Sequence, residues 1–114
     1  MNDTPKFPDD ENGCILRRMH DAGDDLTKAR TIDFCFVFPK RNQALDFAKD
    51  IDDRNCEVCL SFYAAKNCWQ IIVKNNMVPD YSTITALELR LMNKAEAFEG
   101  SADGWGCMRI SKLI

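Results

Sequence analysis

The chain has 114 residues, 46% hydrophobic and 29% charged, which is the size and balance of one ordinary globular domain and excludes a disordered or fibrous polypeptide. Fifteen bases against eighteen acids leave a formal charge of −3, which argues against gripping nucleic acid chiefly through its phosphates. No stretch approaches the roughly 20 apolar residues needed to cross a bilayer, and the opening Met-Asn-Asp-Thr-Pro-Lys-Phe-Pro lacks the apolar run of a secretory signal. A soluble, cytoplasmic protein is expected.

The charge is unevenly spread. Residues 1–25 hold seven acids (Asp3, Asp9, Asp10, Glu11, Asp21, Asp24, Asp25) and three bases (Lys6, Arg17, Arg18), while the remainder is close to neutral. Acids near a helix start are favourable in any case. Residues 1–9, with prolines at 5 and 8, read as a loose tail on a single domain over 10–114.

Ile15, Leu16, Met19 and Ala22 recur at helical spacing before Gly23, predicting a helix over 10–22. Residues 30–38 alternate strictly: Ile32, Phe34, Phe36 and Phe38 fall on one face, with Asp33, Cys35 and Val37 on the other. That is a strand, ended by Pro39. Ala44, Phe47, Ala48 and Ile51 make the apolar stripe of a helix over 41–54. Val58, Leu60 and Phe62, then Trp69, Ile71 and Val73, predict strands over 56–63 and 68–75 joined as a hairpin through 65–67. Pro79-Asp80 precedes a helix over 81–99 with the stripe Ile84, Leu87, Leu91, Ala95 and Phe98; Gly100 closes it, and a last strand is expected over 105–112.

Without its first helix the order is βαββαβ, the α+β ferredoxin-like sandwich, with an antiparallel sheet of order 4-1-3-2. Right-handed crossovers place the two later helices on one face, against the Phe34 and Val58 side. The added N-terminal helix is expected to leave the other face open or to cover it in part.

Catalytic signals are weak. His20 is the lone histidine, and its neighbour Asp21 points about 100° away around the helix, so the two do not make a dyad. No nucleophile elbow or glycine-rich phosphate loop occurs. The reading is a non-enzyme with no cofactor. Six cysteines (Cys14, Cys35, Cys56, Cys59, Cys68, Cys107) are expected as free thiols. Cys56-Glu-Val-Cys59 has the spacing of a zinc knuckle but lies in a strand, where positions three apart face opposite sides. Cys35, Cys59 and Cys68, joined by Cys107 if Trp105 points outward, fall on the face away from the large apolar side chains. They would bind zinc only with sulfurs within about 4 Å of one another. Base stacking of the kind used by RNA-recognition motifs would require the strand-one phenylalanines to face outward, against their alignment with Val58, Leu60, Trp69, Ile71 and Val73. Direct nucleic-acid binding is therefore not expected.

The run Gly100-Ser-Ala-Asp103-Gly104-Trp105-Gly106 resembles the Asp-Gly-Trp-Gly signature of the regulator of ribonuclease E activity B family. Gly23-Asp24-Asp25-Leu26 with Arg30-Thr31-Ile32-Asp33-Phe34 is similar to that family's passage from helix to strand, and the likeness extends over roughly 10–110. It implies a small cytoplasmic protein that binds ribonuclease E through that nuclease's non-catalytic scaffold region and lowers RNA cleavage, without an active site of its own. Better-known members carry a strongly acidic C-terminal tail, whereas here the acidic stretch is N-terminal; if that tail contributes to docking, a difference in target, affinity or activity is expected. The alternative is an interaction module of the same fold with another protein partner, responsive to thiol chemistry or metal. Asp103, Gly104, Trp105 and Gly106 are the first candidate interface positions, and the acids Asp9, Asp10 and Glu11 the second, since they would steer a basic partner. The same motif has a structural reading: a turn at Asp103-Gly104, positive φ at Gly104, close approach at Gly106, and Trp105 capping the core with a hydrogen-bonded indole N–H.

Overall fold

The computed structural model describes residues 7–51 and 56–110. Helix α1 spans Glu11–Asp21, strand β1 Arg30–Phe38, helix α2 Arg41–Asp50, strand β2 Cys56–Tyr63, strand β3 Cys68–Met77, helix α3 Tyr81–Glu96 and strand β4 Ser101–Cys107; a single 3-10 turn, Ala64–Lys66, joins β2 to β3. The four strands form one antiparallel sheet in the order β2-β3-β1-β4, an α+β arrangement consistent with ferredoxin-like topology.

The β1 alternation controls the core. Phe34 and Phe38 are fully buried and Phe36 is 1% exposed; cross-strand pairing puts Val73 beside Phe34 and Ile71 beside Phe36. Helix α2 seats Phe47 on this row, its ring centroid 5.3 Å from Phe36 and 5.1 Å from Phe38. Ile84, Leu91 and Ala95 of α3 complete the layer. Phe62 departs from expectation: it shares the apolar face but remains 49% exposed, because β2 is the sheet edge and the helices do not reach over its end.

The helices begin and end as their terminal residues dictate. The Asp10 carboxylate accepts from the Gly13 N–H at 2.8 Å, and the Asp80 carboxylate accepts from the Thr83 N–H at 3.0 Å. Helix α1 ends in a Schellman motif, with Gly23 N–H donating to His20 O (3.0 Å) and Asp24 N–H to Met19 O (3.1 Å), and Gly23 taking φ 92. Helix α3 closes in the same way at the end of its stripe: Gly100 N–H donates to Ala95 O (2.8 Å) and Glu99 N–H to Glu96 O (3.1 Å). The left-handed residue there is Glu99, φ 63, so Gly100 is not the positive-φ position its type suggested.

Several boundaries shift, among them the end of α3, at Glu96, and the end of β4, at Cys107. Strand β3 runs on to Met77, and α2 ends at Asp50, with 52–55 outside the described residues. Strand β4 starts at Ser101 rather than 105, because the closure of α3 delivers the chain directly to β1, pairing Ser101 with Val37 and Ala102 with Phe36. Asp103-Gly104 is thus no turn ahead of the strand. It is a bulge inside it, where the register slips between Phe34 and Phe36 and Gly104 takes φ 91. The predicted strand residues 111–112 lie outside the described set.

Of the two expectations for the far sheet face, α1 leaves it open: the helix packs against α3 in the helical layer, burying Leu16 completely. Phe7, in the segment expected to be loose, packs against the core cluster, and its carbonyl accepts from Arg17 Nη2 at 3.3 Å.

Candidate interaction site

Gly104 and Trp105 of the first candidate group and the acids of the second, far apart in sequence, meet at one corner. Phe34 pairs with Trp105 and Ile32 with Cys107, so both β4 side chains turn toward the helices rather than outward. The Trp105 indole Nε1–H donates to Asn12 Oδ1 at 2.9 Å. The Asn12 amide nitrogen in turn donates to Thr85 Oγ1 and to Glu88 Oε1, both at 3.1 Å. One amide therefore ties α1 to β4 and α3, with its oxygen and both N–H groups engaged.

Around this tie lies a groove of about 370 Å³ bordered by Asp10, Glu11, Asn12, Glu88, Met92 and Gly104. Its charged lining is wholly acidic. Asp10 is fixed twice, accepting from Gly13 N–H and from the Tyr81 hydroxyl. The Tyr81 hydrogen bond, then the backbone one, holds the Asp10 carboxyl below the usual aspartate range, and the same contact pushes the Tyr81 phenol up. Asp9 and Glu11 are exposed beside it.

The Asp-Gly-Trp-Gly run is divided between two surfaces. Trp105 is half-buried under α1, Gly104 sits on the rim, and Asp103 and Gly106 face the other side of the sheet. Asp103 is ion-paired there with Lys66 at 3.2 Å. Nothing lies within 4 Å of a side chain built at Gly106, so the close approach expected at that glycine is absent. Asn12, Glu88, Met92 and Tyr81 were not legible as site residues. Only the position of Asn12, directly after the acids and on the α1 face that carries Leu16 four residues on, could have pointed to it.

The uncovered sheet face carries Asp33, Cys35 and Val37 on β1, and Cys68, Gln70, Ile72 and Lys74 on β3. Near β4 it forms a shallow concavity of about 720 Å³ lined by Asp33, Cys35, Glu57, Lys74 and Asp103 among others. No aromatic side chain stands at the central β1 and β3 positions of this face, so the stacking platform of an RNA-recognition motif is not present there.

The thiols do not converge. Cys35 and Cys59 flank Ile72 in one row, which places them two strands apart, about 9–10 Å, too far to share an ion. Cys107 points inward with Trp105, and Cys56 packs on the core and accepts from Asn75 Nδ2 at 3.2 Å. Among the described residues no group of three or more His, Cys, Asp or Glu side chains is placed to hold a metal ion. Burial pushes the Cys35 and Cys107 thiols up, away from reactive thiolate. His20 Nδ1 lies 3.5 Å from Asp21 Oδ1 and has no hydrogen-bond partner, as the helical offset of adjacent residues requires.

The family described as regulator of ribonuclease activity B matches residues 9–107, nearly the whole chain and every candidate position from Asp9 to Gly106. The chain belongs to that family. No curated protein matches it. Among solved structures, a C-terminal segment of the alpha subunit of aIF2 from Pyrococcus abyssi is similar at 15% identity and a TM-score of 0.30, covering 89% of this chain and 61% of that one; likeness at that level has no bearing on function. Within the regulator of ribonuclease activity B family, the matched span runs from just ahead of the α1 cap to the last residue of β4, and so includes both ends of the Asn12–Trp105 tie.

That tie is directly testable. Asn12→Asp retains an acceptor for the indole but removes both donated bonds and sets a second carboxylate against Glu88. A loss of about 2 kcal/mol is expected from chemical denaturation, with Glu88→Gln in the same chain restoring much of it.

Proposed function

We propose that this chain is a cytoplasmic regulator that binds ribonuclease E by protein–protein contact and lowers its RNA cleavage. Family membership supports the regulatory role, and the acidic corner of α1, α3 and β4 supports a docking surface for a basic segment of the nuclease. The observation that carries the placement of the interface is the Trp105–Asn12 hydrogen bond at 2.9 Å, which joins both sets of candidate residues, Asp9, Asp10 and Glu11 with Gly104 and Trp105, into one surface. In this reading Trp105 and Asp10 build the corner, Asp9, Glu11 and Glu88 supply its field, and Met92 offers an apolar contact. Such a field mainly raises the rate of encounter and selects cationic partners.

The test is retention of full-length ribonuclease E by the tagged chain, with RNA cleavage followed in parallel. Retention that weakens as salt rises is expected, and the pair Asp9→Lys and Glu11→Lys, both exposed, should lower affinity by about tenfold or more. No retention, or binding indifferent to salt and to both charge reversals, overturns the reading or its interface respectively.

A further inference from the structure

The two edges of the sheet are built differently. Strand β4 is interrupted: its register slips between Phe34 and Phe36, Gly104 takes φ 91, and Gly106 adds a second weak point. Bulges and glycines of this kind blunt an edge against further pairing. Strand β2 has none of these devices. Its 8 residues, Cys-Glu-Val-Cys-Leu-Ser-Phe-Tyr, contain no proline, glycine or lysine and a single charge, Glu57. Pairing with β3 is unbroken from Cys56↔Asn75 to Tyr63↔Cys68. As an edge strand it directs the N–H and C=O groups of alternate residues away from the sheet.

The side chains at this edge have the composition of a contact surface. Phe62 is 49% exposed and meets Trp69 edge-on with ring centroids 5.1 Å apart; the Arg41 guanidinium lies 5.7 Å from the Trp69 ring. Aromatic and arginine side chains at a water-exposed margin are the residue types that dominate binding energy.

We propose that β2 pairs antiparallel with β2 of a second copy of this chain about a twofold axis through Leu60, extending the sheet to eight strands. The strand is complementary to itself in that register. On the helical face Leu60 meets Leu60 of the second copy and Phe62 covers Val58, an aromatic and β-branched cross-strand pair. On the other face Glu57 meets Tyr63, whose hydroxyl can donate to the carboxylate, and Cys59 meets Ser61. No like charges oppose each other. Centring on Cys59 would leave Phe62 opposite Cys56, and centring on Ser61 would run Val58 past the end of the strand at Tyr63. The Leu60 register pairs 57–63 throughout and gives the exposed ring a β-branched partner, where the Cys59 register gives it a cysteine. A contact of this size lies at the small end of specific interfaces, so a micromolar dimer is the expectation. The α1–α3–β4 corner sits at the opposite edge of each protomer, and both corners stay free.

Sedimentation of the full chain in reductant, which excludes disulfide-linked pairs, tests this. The mass should rise with concentration from 13.0 kDa toward twice that value, and amide exchange at 57–63 should slow in step. Phe62→Lys should weaken the dimer about tenfold or more, whereas Met108→Lys, at an 81% exposed site on the far edge, should leave it unchanged. A mass fixed at 13.0 kDa up to millimolar protein, a dimer indifferent to Phe62→Lys, or exchange at β2 that ignores concentration would each overturn the proposal. Because the corner residues are untouched, loss of the dimer with ribonuclease E retention intact separates this inference from the proposed function.

Discussion

Asp24→Ala is expected to destabilise the fold by about 3–5 kcal/mol, the usual cost of orphaning one member of a buried ion pair. Asp24 is fully buried and Arg30 is 6% exposed. The guanidinium Nη1 donates to both carboxylate oxygens, at 2.7 and 2.8 Å, and to the Met108 carbonyl at 3.0 Å; Nη2 donates to the Asp25 carbonyl at 2.7 Å. The carboxylate also accepts from Ile110 N–H at 3.3 Å, while Asp25 N–H donates to Ile110 O at 2.7 Å. This pair therefore holds the chain just past β4, where ladder pairing has stopped, against the loop between α1 and β1. Removing the carboxylate leaves a buried cation with carbonyl partners alone. Denaturant midpoints should register the loss, and amides at 108–110 should exchange faster than the rest of the sheet. Asp24→Leu with Arg30→Met should recover most of the stability, because the pair's own desolvation disappears with it. If Asp24→Ala costs less than about 1 kcal/mol, the pair is not the latch its geometry indicates.

Gly100→Ala is expected to cost about 3 kcal/mol, the upper range for overpacking a closed core. A Cβ at position 100 would stand 2.2 Å from Phe38 Cε1, with two more atoms of the same ring at 2.6 and 2.7 Å. The ring has nowhere to go: Phe38 is fully buried and its centroid is 5.1 Å from that of Phe47. The glycine is required by proximity here, not by its dihedral angle. Phe38→Leu should cost stability alone yet offset part of the Gly100→Ala loss in the double variant, a coupling that thermal or urea unfolding can measure. Additive losses would place the strain elsewhere in the closure of α3.

Much of this architecture was written in local sequence. The period-two row Ile32, Phe34, Phe36, Phe38 assigned β1 and its buried face, since alternation and burial are the same fact in a half-covered strand. The stripes Ala44–Phe47–Ala48 and Ile84–Leu91–Ala95 assigned α2 and α3 for the corresponding helical reason. The resemblance at Gly23-Asp24-Asp25-Leu26 marked a segment whose structural meaning, the buried Asp24–Arg30 pair, depends on partners at 108–110 that the motif does not contain.

What the sequence by itself determined was element type and which side of β1, β2 and β3 turns inward, because those follow from neighbours a few residues apart. Tertiary structure alone decided where α1 lies, since its narrow stripe suits either sheet face and the choice falls to Leu16 and to an Asn12–Trp105 contact spanning 93 residues. It also decided that Phe62 reaches water while its row-mates do not, and that β4 begins at the closure of α3. These outcomes rest on long-range contacts and on sheet order, which no window of sequence contains.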